Sequence, residues 1–300
     1  MVSSAGDVWK NSWMPVDAKG YANPHLLASP GELAAQLEAN APPLPLLLDL
    51  RPAEVFAQGH LPRAVHLDLF GVSLIDTSPA PLDAFLWMIW HLLGTRGVSG
   101  DRTVVVYDDE SGIRAARAFW FLELFGHPQA SLLDGGYRAW LRAGFPVSTD
   151  PVAPQKSSWP VVRQDERLAT WTDVVDRLGR DDTVMLDTRS DGEYFGTNVR
   201  AKRAGAIPAA VHVEWTRNLR PDGTFKAAPE LQAMYTHVGV TPDKEVVTYC
   251  QGGYRAAHSY VALRLLGYPK VRNYIGSWKE WGDREDLPIE SPTPELHDGE

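Results

Sequence analysis

The sequence predicts an α/β protein made of two tandem copies of one domain, each a mainly parallel sheet flanked by helices. Three observations carry this prediction. Short apolar strands alternate with helical patterns along the chain, the signature of a parallel sheet with helical crossovers. Several elements recur in the same order at a nearly constant offset, the mark of a duplication. Finally, 300 residues with 44% hydrophobic content suffice for two cores of ordinary size.

In the first copy, Ser29 is placed to cap a helix that starts at Pro30 and runs through Leu33, Leu37 and Glu38. Leu46-Leu47-Leu48-Asp49 reads as a buried strand ending in an acid, followed by Arg51 and then by Gly59-His60-Leu61-Pro62-Arg63-Ala64-Val65-His66. A second apolar run, Val104 to Tyr107, leads into Asp108 and an amphipathic helix through Ala115, Phe119, Leu122 and Phe125. Asp134-Gly135-Gly136-Tyr137-Arg138-Ala139-Trp140 closes the copy.

The second copy repeats this order. Asp187-Thr188-Arg189 answers Asp49-Leu50-Arg51, and Gly205 to His212 answers the Pro62 and His66 segment. Val246 to Tyr249 answers Val104 to Tyr107, and Ile275-Gly276-Ser277-Trp278 answers the Gly-Gly-Tyr element. The expected division is an N-terminal arm over 1–24, a first domain over 25–147, a Pro- and Ser-rich linker over 148–162, a second domain over 163–288 and a mobile tail over 289–300.

The chemistry concentrates at Cys250, the sole cysteine in the chain. Val246 to Tyr249 reads as a strand, and a helical spacing begins at Arg255. Only Gln251, Gly252, Gly253 and Tyr254 lie between, so the backbone turns sharply on two glycines. Amides of such a loop and the positive end of the following helix favour negative charge, which makes Cys250 a candidate thiolate nucleophile. With no second thiol, neither a disulfide pair nor a zinc cluster is available. Alignment of Tyr107 with Tyr249 puts Asp108 opposite Cys250, so the first copy is expected to be catalytically inactive and to wall the other's site.

The net charge of −9 and the scattered basic residues argue against nucleic acid or an anionic membrane as partner. Met1 to Tyr21 has no apolar run behind a basic flank, and the expected location is the cytoplasm.

Taken together, Asp49-x-Arg51 and Asp187-x-Arg189, the Pro-x-Ala-Val-His segments, Tyr249-Cys250 with its glycine-bearing loop, and the Gly-Gly-Tyr-Arg and Gly-Ser-Trp elements resemble the tandem-domain rhodaneses, the thiosulfate and 3-mercaptopyruvate sulfurtransferases. The resemblance spans about residues 25–288. It implies two rhodanese-like domains and a Cys250 persulfide that takes sulfane sulfur from a small anionic donor and passes it to cyanide or a thiol, including a thiol protein. It implies no cofactor and no metal. Gln251, Gly252, Gly253, Tyr254 and Arg255 would form the substrate-binding cradle, and Asp187 and Arg189 would support it. Arg255 would either face the anionic donor or pair with an acid such as Asp187.

Departures from the family pattern bear on the donor. Gly252 stands where thiosulfate-specific members carry a basic residue and mercaptopyruvate-specific members a serine. Glu193 stands where the family uses an arginine for the donor anion, and Arg200 is the expected substitute. Two rival readings differ in class. A persulfide carrier or regulatory binding module would hold sulfur without fast small-donor turnover. Cdc25-type phosphatases share the fold by resemblance, but their loop is one residue longer than the four residues between Cys250 and Arg255.

Overall fold

The computed structural model describes residues 15–293. The first copy comprises β1 (Leu27–Ala28), α1 (Pro30–Ala39), β2 (Leu46–Asp49), α2 (Ala53–Gln58), β3 (Val65–His66), α3 (Pro79–Thr95), β4 (Val104–Tyr107), α4 (Ile113–Leu124), β5 (Ala130–Leu133) and α5 (Gly136–Arg142). The second comprises β6 (Leu168–Ala169), α6 (Trp171–Val175), β7 (Thr183–Asp187), α7 (Asp191–Tyr194), β8 (Val211–His212), α8 (Ala228–His237), β9 (Glu245–Tyr249), α9 (Tyr254–Leu265), β10 (Val271–Tyr274) and α10 (Ser277–Asp283). Each copy forms a five-stranded sheet whose strands pair in parallel, ordered β1-β5-β4-β2-β3 and β6-β10-β9-β7-β8. The two orders are the same order, which is the structural form of the repeat.

Central strands covered on both faces must be apolar throughout. Val104 to Tyr107 and Val246 to Tyr249 are all buried accordingly. In open parallel sheets ligands bind beyond the carboxyl ends of the strands, and that edge is where Asp108 and Cys250 emerge.

The recurrent Asp-x-Arg elements are buried struts. Arg189 Nε donates to both oxygens of Asp187 at 2.9 Å, while its Nη2 donates to Asp187 Oδ2 at 2.5 Å and to the Gly205 carbonyl at 2.7 Å. Arg51 repeats this with Asp49 and the Gly59 carbonyl. The tyrosines ending β4 and β9 tie in the same segments, accepting the Leu61 and Ile207 N–H groups. Thus Asp187 and Arg189 hold the end of β7 and the following chain beside β9.

The copies meet along α4 and α9. His258 on α9 lies 2.7 Å from the Ser111 carbonyl of the first copy, and Tyr260 donates to Glu123 at 2.6 Å. The described part of the arm straddles both copies: buried Lys19 bonds Asp134 at 2.5 Å and the Phe225 carbonyl at 2.8 Å. The connecting chain is tied to the first copy through Ser157 and buried Trp159. Two expected limits shift. Helix α9 begins at Tyr254, one residue early, because Gly253 with φ of +81° already completes the turn. The chain stays docked beyond 288, where Glu290 exchanges two backbone hydrogen bonds with Ala206. Residues 1–14 of the expected arm and 294–300 of the expected tail lie outside the described residues.

Breaking a buried pair strands a charge away from water, at a cost of about 3–5 kcal/mol. Arg189→Ala is therefore expected to lower the stability of the second copy by that amount in denaturant unfolding. Arg180→Ala, which removes a pair with exposed Asp182, is expected to leave the midpoint nearly unchanged.

Candidate active site

Strand β9 delivers Cys250 to the edge of the sheet, where the residue is only 1% exposed. The loop then folds back over the sulfur, and the Gly253 N–H donates to Sγ at 3.1 Å. The left-handed conformation of Gly253 aims that N–H, and a Cβ there would approach the Ile275 carbonyl oxygen at 3.0 Å. The loop is gripped from behind by α10. Ser277 Oγ accepts the Cys250 N–H at 3.1 Å, while the N–H groups of Trp278 and Lys279 donate to the Cys250 and Gln251 carbonyls at 2.9 and 3.0 Å.

Two opposed effects set the thiol's ionisation. Burial raises its pKa and is the largest single influence. Against it act the Arg255 guanidinium and the N–H groups of Ala256, Gly252 and Arg255, and together they bring the thiol below its ordinary range.

Arg255 does not pair with Asp187, which is held by Arg189. Its partner is Glu193, through contacts of 2.5 and 2.8 Å. Burial pushes the Glu193 carboxyl up, but the bonds from Arg255 and from Ser190 prevail and bring it down to about 2. The acid that sequence comparison marked as a missing arginine is thus the clamp of Arg255. Arg200 stands at the rim with its side chain half exposed, 3.5 Å from Glu193, and its carbonyl accepts the Gln251 side-chain amide at 2.7 Å. Cys250, Gln251, Gly252, Gly253, Tyr254 and Arg255 therefore form one cradle, with Arg200 at its edge. Asp187 and Arg189 lie beneath it, Arg189 at 4.5 Å from the Trp278 ring.

The first copy supplies the facing wall. Tyr254 O–H donates to the carbonyls of Leu69 and Val72 at 2.8 and 3.2 Å, and Thr77 donates through N and Oγ to Glu280 of α10. In the first copy's own cradle, Asp108 takes the cysteine's place. Its carboxylate accepts the N–H groups of Gly112, Arg114 and Ala115 at 2.9 to 3.1 Å, so the anion site is filled from within. Burial raises that carboxyl to about 6 against the pull of these amides. The grip is the same in both copies, since Tyr137 and Arg138 N–H groups hold the carbonyls of Asp108 and Asp109. Sequence reading missed Glu193 as a clamp, Ser277 as a backstop and the Leu69 to Thr77 wall. The matching Gly-Gly-Tyr-Arg and Gly-Ser-Trp-Lys elements were the available signal for the loop grip.

Fold and site define a duplicated α/β protein with one cradle that holds a cysteine and one filled by its own acid. The rhodanese-like domain family matches residues 29–143 and again 170–284, and the chain belongs to that family, as an enzyme of the rhodanese transferase type. It is 37% identical over 266 residues to the thiosulfate sulfurtransferase of Pseudomonas aeruginosa, covering 88% of this chain and 97% of that protein. It is 35% identical over 284 residues to the sulfur carrier protein TtuD of Thermus thermophilus, covering 90% and 98% respectively. Among solved structures, the anaerobic ergothioneine biosynthesis enzyme from Chlorobium limicola superposes with a TM-score of 0.78 at 22% identity, over 91% of this chain and 72% of that one. That likeness is one of fold.

Gly253→Ala forces a side chain into the left-handed region, at about 1–2 kcal/mol, and displaces the N–H that meets the sulfur. Alkylation of Cys250 by iodoacetamide is expected to slow by roughly tenfold, the worth of one hydrogen bond to a charged sulfur. At Gly252 a Cβ meets only Ser73 Oγ at 3.7 Å, so Gly252→Ala is expected to react at close to the parent rate.

Proposed function

We propose that the protein moves sulfane sulfur from a small anionic donor, thiosulfate or 3-mercaptopyruvate, through a Cys250 persulfide to cyanide or a thiol acceptor. The observation that carries this reading is the buried Cys250 sulfur facing backbone N–H groups, in the position that a carboxylate fills in the other copy. With thiosulfate, the Cys250 thiolate attacks the outer sulfur. The donor's S–S bond breaks, its electron pair leaves with sulfite, and the new S–S bond makes the persulfide anion. Cyanide or a thiolate then attacks the terminal sulfur and the Cys250 thiolate is regenerated. The cradle suits both anions because its N–H dipoles are fixed before the reaction starts.

In this reading residues 25–147 are the inactive copy and residues 163–288 the catalytic one. Gln251 to Arg255 line the substrate cradle and Arg200 offers its exposed charge to the incoming donor. Among the described residues no helix is long and apolar enough to cross a membrane. A lone catalytic thiol stays available where thiols are kept reduced, which supports a cytoplasmic location.

A second reading, a persulfide carrier that loads from a thiol protein, shares the same cradle and is favoured by the resemblance to a protein named as a sulfur carrier. Phosphate recognition fits poorly, because Glu193 already occupies the Arg255 fork that would hold a phosphoryl group. Intact-protein mass after incubation with each donor tests the proposal. Thiosulfate or mercaptopyruvate is expected to add about 32 Da, removable by cyanide and absent in Cys250→Ser. Loading by neither donor on folded protein would defeat the small-donor reading and leave the carrier.

A further inference from the structure

Arg117 and His258 occupy the same place in the two copies, each the fifth residue of its helix. Each reaches across the domain contact to the other copy's loop. His258 meets the Ser111 carbonyl in the acid-filled loop of the first copy. Arg117 crosses the other way, and its Cζ lies 3.8 Å from the centre of the Tyr254 ring, where the Cys250 cradle becomes α9.

Arg117 is completely buried, and among the described residues its three guanidinium nitrogens make no hydrogen bond of good geometry, only a loose approach to Tyr254. The buried arginines of the struts are not left this way, since Arg51 and Arg189 each hold an aspartate and a carbonyl oxygen. A dry guanidinium with no acceptor is costly, and a folded protein retains one where an anion faces it. Stacking on the Tyr254 ring offsets part of the cost but supplies no anion.

The charged groups around the sulfur identify that anion. Arg255 comes from the cradle itself and acts on the sulfur, but it shares its charge with Glu193 of α7 through two short contacts. Asp187 and Arg189 at the end of β7 neutralise each other, and Arg200 is half in solvent. From α4 comes Arg117, which lies over the ring of Tyr254, the first residue of α9 and four positions after Cys250. Among these groups of the described residues, Arg117 is the buried cation without a carboxylate partner, in a dry region where fields are least screened.

We propose that Arg117, contributed by the copy without a cysteine, is a positioning residue of the other copy's active site, its buried guanidinium being the counter-charge of the Cys250 sulfur anion, thiolate or persulfide. The catalytic cradle is then complete only when the two copies are docked, which gives the inactive copy an electrostatic role as well as that of a wall. Transferring sulfur keeps one negative charge on the cradle, because thiolate becomes persulfide, so Arg117 serves every stage of the cycle. The proposal rests on Cys250 as nucleophile, but its test needs no sulfur transfer and does not depend on the donor.

One cysteine gives one resonance, so protein labelled with ¹³C at cysteine Cβ reports the ionisation of Cys250 directly. In Arg117→Met the titration midpoint is expected to move up, leaving about tenfold less thiolate on the acid side of it. Arg117→Lys, which keeps the charge, should recover most of that loss, a rescue that packing alone does not predict. A folded Arg117→Met that titrates at the parent midpoint would overturn the proposal. If Arg117→Met is too unstable to titrate, a cycle with Cys250→Ser decides by denaturant midpoint above the thiol's pKa. Pairing requires the substitution to cost less in the Cys250→Ser protein, where the anion is gone, and equal cost in both backgrounds overturns it.

Discussion

A sulfur anion can be buried only where fixed N–H dipoles and positive charge take over the work of water. Burial is the largest influence on Cys250 and by itself favours the neutral thiol, so the surroundings must outweigh it. Much of the second copy serves that requirement. Strand β9 brings the cysteine to the sheet edge, Gly253 turns an N–H onto the sulfur, and α10 fixes the loop through Ser277, Trp278 and Lys279. Glu193 holds Arg255 in register from α7, and the strut between Asp187 and Arg189 keeps the end of β7 in place below.

The first copy shows what the same fold does when it makes the anion itself. Asp108 reaches from the same strand end into the same kind of amide nest, and a Cβ on Gly112 would sit 2.5 Å from its carboxylate oxygens. That loop carries one more residue than its counterpart before the helix begins, which gives the carboxylate room to fold back. A cradle filled by its own side chain has no vacancy for a donor. What the first copy gives instead is surface, through the Leu69, Val72 and Thr77 contacts to Tyr254 and Glu280.

Much of this was legible in the sequence, because the features that encode the fold are local and occur twice. Apolar runs ending in an acid, a tyrosine or a cysteine marked the central strands, and two glycines after Cys250 marked the turn. The repeat converted weak single motifs into a pattern, and it set Cys250 opposite Asp108. Contacts between residues far apart in the chain were not legible. Glu193 and Arg255 are separated by 62 positions and meet only because α7 and the cradle flank the same strand edge. Arg117 lies in the other domain, inside an amphipathic helix where an arginine reads as a surface residue, and its complete burial depends on how α4 docks on α9. The tail boundary shifted for a like reason, since Glu290 is held by Ala206, a partner that no local pattern announces.

Stabilisation of the Cys250 thiolate by its cradle makes a kinetic demand. The rate of sulfur loading from thiosulfate, followed by stopped-flow absorbance of the persulfide across pH, tests it most directly. A depressed thiol pKa keeps the reactive anion populated as pH falls, so the rate should reach its plateau with a midpoint below the ordinary thiol value of about 8.5. A rate that climbs through that value and levels only above it would mean that burial prevails over the cradle, and would contradict the central role given to the amides and their cations.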